Sequence, residues 1–120
     1  MELPKQVVVC EVGLRDGLQN EKKILTVAEK LEMIHRLEQA GVKVIEVGSF
    51  MHPKAVPQMA NTDEVYRNLT QLEGVEYRAL VANLKGVERG GCGQKPGHEN
   101  TIVKKNEIHQ RANHCRADIV

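Results

Sequence analysis

Three short runs rich in β-branched residues, near 6–12, 42–47 and 75–81, alternate with two stretches whose apolar residues recur at helical spacing. The runs begin about 35 residues apart. That is the length of one strand–helix unit, and a crossover of that length joins parallel strands. The first run, Gln6-Val7-Val8-Val9-Cys10-Glu11-Val12, is continuous rather than alternating, as in a strand buried on both faces. Residues 13–23 read as a polar loop, with Gly13 and Gly17 as breakers.

Both helices carry start and stop signals. Thr26-Val27-Ala28-Glu29 fits a capping box, in which Thr and Glu satisfy orphan backbone N–H groups reciprocally. Val27, Leu31, Ile34 and Leu37 then form one apolar stripe, with Lys30, Glu32, Arg36 and Glu38 off it. Gly41 stands where a left-handed C-terminal residue is wanted, so a helix is expected over about 26–40. A second is expected over 62–73. Asn61 or Thr62 caps it, Val65, Leu69 and Leu72 are its buried stripe, and Gly74 stops it.

A parallel α/β order of this kind fits a doubly wound sheet or the start of a (β/α)8 barrel. A complete barrel takes about 250 residues, so this chain of 120 holds roughly three of eight units. The pattern stops after Arg89: Gly90-Gly91-Cys92-Gly93 reads as neither helix nor strand, and Thr101-Ile102-Val103 is the only later apolar run. Residues 1–89 are therefore expected to form the partial barrel, and 90–120 an irregular, divergent stretch. A third strand left at the edge would favour oligomerisation or aggregation.

Composition narrows the partners. A net charge of +1 argues against a nucleic-acid or anionic-membrane binder held by bulk electrostatics. Phe50, Tyr66 and Tyr77 are the only aromatics, too few for a base-stacking platform. No apolar run approaches the ~20 residues of a membrane helix, and the N-terminal residues carry neither a signal-peptide nor a transit-peptide pattern. Cys10, Cys92 and Cys115 have no framework spacing, which suits reduced thiols in the cytoplasm. No two of the five histidines have metal-ligand spacing.

In a parallel array, the C-terminal ends of successive strands share one rim. Arg15, Asp16 and Gln19 follow the first strand, Glu46 and Ser49 end the second, and Asn83 follows the third. Six polar residues at three successive strand ends suggest a site. Glu46 interrupts Val44-Ile45-x-Val47, where a carboxylate must be paired or cost several kcal/mol. Arg15, one strand away, is its natural partner. Asp16 offers oxygen to a hard divalent cation such as Mg²⁺ or Mn²⁺.

These residues carry a resemblance. Arg15-Asp16-Gly17-Leu18-Gln19-Asn20-Glu21 is similar to the opening motif of the metal-dependent lyases and condensing enzymes built on a (β/α)8 barrel. Ile45-Glu46-Val47-Gly48-Ser49-Phe50, Pro53-Lys54-Ala55-Val56-Pro57-Gln58-Met59 and Asn83-Leu84-Lys85-Gly86 narrow it: over about 6–89 the chain resembles the 3-hydroxy-3-methylglutaryl-CoA lyases. The resemblance implies an acyl-CoA substrate, cleaved to acetoacetate and acetyl-CoA, and a place in leucine degradation. It implies that Asp16 binds Mg²⁺ or Mn²⁺ and that Arg15 stabilises the developing enolate. Glu46 then supports the active site, with Gln19 and Ser49 near the substrate.

The departures bear on activity. The family's pattern continues with a His-x-His on a later strand, a late asparagine, and a catalytic cysteine in a late Gly-rich loop. None of these is matched here, and Cys92 lies too early to take the cysteine's role. The resemblance thus implies a truncated N-terminal portion, inactive alone. The competing class is a non-catalytic remnant, or a module that needs a partner to close the barrel. Glu107-Ile108-His109-Gln110-Arg111-Ala112-Asn113 again resembles the family at about the right distance. Codons for Gly-Gly-Cys-Gly read one base later can spell Ala-Ala-Ala-Gly, so a pair of compensating frameshifts bracketing about 90–106 is a hypothesis that the coding DNA tests.

Overall fold

The structure, a computed structural model, describes residues 2–92 and 101–104. Four strands, β1 (Cys10–Glu11), β2 (Val44–Ser49), β3 (Glu76–Val81) and β4 (Thr101–Lys104), alternate with three helices, α1 (Val27–Gln39), α2 (Thr62–Asn68) and α3 (Leu84–Cys92). All neighbouring strands pair in parallel, in the order β1-β2-β3-β4. Sequential order decides between the two architectures that the sequence left open. A doubly wound sheet reverses its strand order at a switch point, whereas barrel units add each strand beside the last.

α1 forms as its sequence dictates. The Thr26 hydroxyl accepts from Glu29 N–H at 3.2 Å, and the Glu29 carboxylate accepts from Thr26 N–H at 2.8 Å. At the other end, Gly41 takes φ +85°. Its N–H reaches Glu38 O at 3.0 Å, and Val42 N–H reaches Leu37 O at 3.1 Å, a Schellman closure. Spending Val42 on the helix end moves the start of β2 to Val44, two residues later than expected. Ile34 from α1, Val65 from α2 and Val87 from α3 pack with Ile45, Tyr77, Ala79 and Val81 of the sheet to make the core.

Several expectations are corrected. The first strand is two residues long rather than seven, and Val7, Val8 and Val9 are 76%, 75% and 65% exposed. Their composition favours burial, but no described residue covers them. The loop at 13–23 begins as one π-helical turn, Gly13–Gly17, whose Leu14 is buried.

α2 stops at Asn68. Leu69 turns extended and stays buried, while Leu72 is 46% exposed and its N–H reaches the Tyr77 hydroxyl at 3.0 Å. Asn61 precedes α2 without capping it. The Gly-rich segment ends a helix: the Asn83 side chain accepts from Gly86 N–H at 2.9 Å and starts α3, which runs through Gly90 and Gly91 to Cys92. Thr101–Lys104 supplies a fourth strand, so β3 is not an edge. Glu107–Asn113 lies outside the described residues.

Candidate functional site

The rim is built from the ends of β1 and β2. After Glu11 the chain closes its π-helical turn by bringing Arg15, Asp16 and Gly17 N–H groups onto the one carbonyl of Val12, at 3.1, 2.7 and 3.4 Å. Such turns recur at functional sites because they re-aim side chains that an α-helical turn would send elsewhere. Here the turn lays Arg15 against β2. Glu11 supports it, its carboxylate accepting from Gly13 N–H at 2.7 Å.

Glu46 lies within β2, not at its end, and is buried. It pairs with Arg15, whose Nε donates to Glu46 Oε1, as the sequence suggested. The Arg15 Nη1 donates to Asp16 Oδ1 at 3.1 Å. One guanidinium thus bridges a buried carboxylate and an exposed one, with Asp16's side chain 60% exposed. The Asn20 amide holds the Asp16 carbonyl at 2.9 Å.

Just beyond Glu46 the β2–β3 register slips, so that Glu46 faces Arg78 and Gly48 faces Ala79. A bulge beside a site commonly re-aims its strand. Gly48 is required there, because a Cβ would stand 2.6 Å from Thr62 Oγ1.

The remaining expected residues divide. Ser49 is fully buried, and neither its Oγ nor the Gln19 Oε1 has a hydrogen-bond partner among the described residues, although both atoms are buried. Buried polar atoms of this kind are unusual, and the Tyr66 hydroxyl and Asp63 Oδ1 share the condition. Asn83 is spent on the α3 cap and does not join the Arg15–Glu46 pair. Among the described residues no three His, Cys, Asp or Glu side chains converge as a metal site. Asp16 fits a hard cation as one ligand; these residues do not hold a metal by themselves.

Four charged residues were not foreseen as buried or site-facing. Arg78 lies in register with Glu46 and bonds Glu76 at 2.7 Å, which raises its pKa, with Glu46 adding in the same sense. The alternation of β3, with Tyr77, Ala79 and Val81 buried, was the signal that Arg78 shares Glu46's face. Cys10 is exposed, and partial desolvation raises its thiol's pKa against the opposing pull of Arg78. Lys30 is 1% exposed. The Glu38 carboxylate is buried too, accepting from the Tyr77 hydroxyl at 2.6 Å. Arg89 reaches from α3 to Asp63 at 2.8 Å and to the carbonyls of Met51 and Ala60, both at 3.1 Å. It thereby draws together the two ends of the loop between β2 and α2.

Comparison with known proteins bears on this geometry. Residues 6–88 match the family model described as HMGL-like. A 3-hydroxy-3-isohexenylglutaryl-CoA/hydroxy-methylglutaryl-CoA lyase of Pseudomonas aeruginosa is 54% identical over 88 residues, 73% of this chain and 29% of that protein. The crystal structure of a hydroxymethylglutaryl-CoA lyase from Pseudomonas aeruginosa superposes with TM-score 0.78 at 47% identity, covering 87% of this chain and 33% of that one. A lyase of the same kind from Acinetobacter baumannii, in complex with coenzyme A and 3-methylmalate, superposes with TM-score 0.71 at 36% identity over 80% of this chain and 31% of that one. The chain therefore spans about a third or less of the relatives it matches.

Proposed function

Since the chain belongs to the HMGL-like family, we propose that it forms the first part of the active rim of a carbon–carbon lyase of the 3-hydroxy-3-methylglutaryl-CoA type. The observation that carries this is the Arg15 guanidinium, fixed by buried Glu46 and reaching exposed Asp16. Cleavage of a 3-hydroxyacyl-CoA to acetoacetate and acetyl-CoA leaves the bonding pair on the acetyl-CoA carbon as an enolate. Arg15 puts a preorganised positive charge where that negative charge forms, and such groups act strongly in a site that excludes water. Glu46 holds the guanidinium's orientation, and Asp16 contributes one oxygen ligand toward Mg²⁺ or Mn²⁺. When bound, that cation would supply Lewis-acid polarisation of the substrate hydroxyl. Gln19 and Ser49, with unpartnered buried oxygens, are the substrate-side positions.

A cytoplasmic location, a homo-oligomeric state and independence of nucleic acid and membrane are parts of the same proposal. Among the described residues no helix is long and apolar enough to cross a membrane.

The test has two arms. The 120-residue chain, assayed for acetoacetate release with Mg²⁺ or Mn²⁺, is expected to be inactive, because its described residues offer a cation one ligand. A chimera carrying residues 6–88 in place of the matching segment of the Pseudomonas aeruginosa lyase is expected to turn over. In it, Arg15→Gln lowers turnover roughly 10²-fold with metal affinity kept, whereas Asp16→Asn lowers metal affinity. A folded, inactive chimera overturns the lyase reading. It would favour the second reading, a non-catalytic module completed by a partner, which the exposed Val7–Val9 segment supports. Turnover by the chain alone overturns the claim that the rim is incomplete.

A further inference from the structure

Lys30 lies on α1, yet its ammonium is withdrawn from solvent and has no carboxylate partner among the described residues. Instead Nζ donates to two neutral oxygens, the Gln58 carbonyl and Asn61 Oδ1, each at 2.6 Å. Burial lowers its pKa. A buried cation without a counter-ion is costly unless its donors are well satisfied.

Both acceptors sit in the loop between β2 and α2, and both residues also reach the loop between β1 and α1. The Asn61 amide donates to Leu25 O at 3.0 Å, and the Gln58 amide donates to Glu21 O at 2.7 Å. One lysine on a helix thus anchors the second loop, and through it the first. The first loop begins with Arg15 and Asp16; the second begins at Phe50, directly after Ser49.

We propose that Lys30 is a positioning residue that couples the loop after β1 to the loop after β2 and so holds the two halves of the candidate rim in register. Asn61 is the hinge of that coupling. Its oxygen faces the ammonium while its nitrogen faces the first loop, so one amide needs both orientations at once. This also accounts for Asn61 standing before α2 without capping it. The coupling itself is independent of the lyase reading; only its consequence for turnover rests on it.

Amide hydrogen exchange on the 120-residue chain tests the coupling. Lys30→Met keeps the length and apolar stem of the side chain but removes the donor. Exchange is expected to rise roughly tenfold, the scale of one hydrogen bond to a charged group, at residues 57–61 and also at 20–26, where only the Lys30 backbone, unchanged in the variant, makes a hydrogen bond, to the Thr26 carbonyl at 3.0 Å. Asn61→Asp keeps the acceptor for Lys30 and removes the donor to Leu25. It is expected to loosen 20–26 while leaving 57–61 protected. Core amides of β2 and β3 report that each variant is folded.

Acceleration confined to 57–61 in Lys30→Met, or spread uniformly with the core, would overturn the proposal, since lost packing alone gives those patterns. In the chimera, Lys30→Met should lower kcat roughly tenfold with KM little changed, as expected when reacting groups lose alignment. An inactive parent chimera refutes the lyase reading alone, because the exchange pattern still decides the coupling. An active chimera with kcat unaffected by Lys30→Met refutes the positioning role.

Discussion

β1 and β2 begin from similar material and end in different places. Val7-Val8-Val9 is a purer β-branched run than anything in β2, yet those residues are largely exposed and only Cys10 and Glu11 pair. Val44–Ser49 includes a glutamate, a glycine and a serine, and all six residues are buried. Composition sets what a strand can tolerate; neighbours set what it becomes. β2 has a strand on either side and α1 and α2 against it, so even Glu46 is drawn in and must be answered by Arg15. Among the described residues β1 has one neighbour, and the valines just before it, Val7–Val9, meet none of the packing that their chemistry suits. The rim draws on both, with Arg15 following the exposed strand and Glu46 lying in the buried one.

The contrast breaks most visibly in the core of β2. Ile45 is 0% exposed and packs beneath the helices. Ile45→Ala removes buried methyl groups and leaves a cavity, with an expected cost of about 2–5 kcal/mol in urea unfolding. A cost below about 1 kcal/mol, the range of exposed substitutions, would mean that β2 is not the packed centre of this sheet.

Much of this was readable in advance, for identifiable reasons. The Thr26–Glu29 box and Gly41 are local signals, complete within a few residues, and both formed. The Arg15–Glu46 pair was readable because a carboxylate amid Val-Ile-x-Val has few affordable fates. Lys30 and Glu38 were misread for the converse reason. Helical periodicity marks them polar and so off the apolar stripe, but their partners lie 28 or more residues away, at Gln58, Asn61 and Tyr77. A period of 3.6 carries no information about such partners. α2 ends at Asn68, where Leu69 turns extended and is buried in the core. Gly90-Gly91 reads as neither helix nor strand, yet a capped helix anchored by Val87 and Arg89 runs through it. Asn83 looked like a rim residue, and its side-chain oxygen proved to cap α3.

A medium effect sharpens the comparison from the other end of the sheet. Tyr77, at the start of β3, donates to Glu38 and accepts from Leu72 N–H. Burial, reinforced by the hydrogen bond to Glu38, pushes its pKa up to about 12. Because the folded value exceeds the unfolded one of about 10, the unfolded chain releases its proton first as pH rises. The stability that Tyr77 contributes is therefore full below about 10 and lost toward about 12. Lys30 acts in the opposite sense. Its folded pKa lies below the ordinary 10.5, so the penalty of burying its charge fades as pH approaches that value. Tyr77→Phe is expected to cost about 2 kcal/mol at neutral pH and to flatten the alkaline limb of the stability curve. An unchanged alkaline limb would mean that Tyr77 does not stay protonated in the folded state.

The smallest expected effect is the most informative about β1. Val8→Thr is nearly isosteric and differs mainly by a hydroxyl, so its cost reports whether residue 8 is buried. In the 120-residue chain, with Val8 75% exposed, the change is expected to stay within about 0.5 kcal/mol. In the chimera, where the relative's remaining strands are present to cover β1, the same hydroxyl would enter an apolar environment without a ready partner and cost about 1–3 kcal/mol. Unfolding both proteins in urea, each with and without the substitution, gives the difference directly. A cost that appears only in the chimera makes burial of β1 a property of its neighbours. A cost above about 1 kcal/mol in both would mean that this chain already covers Val8, by itself or with a second copy, and that the contrast between β1 and β2 is smaller than the structure shows. Repeating the measurement at tenfold lower concentration separates those two, because only cover by a second copy weakens on dilution.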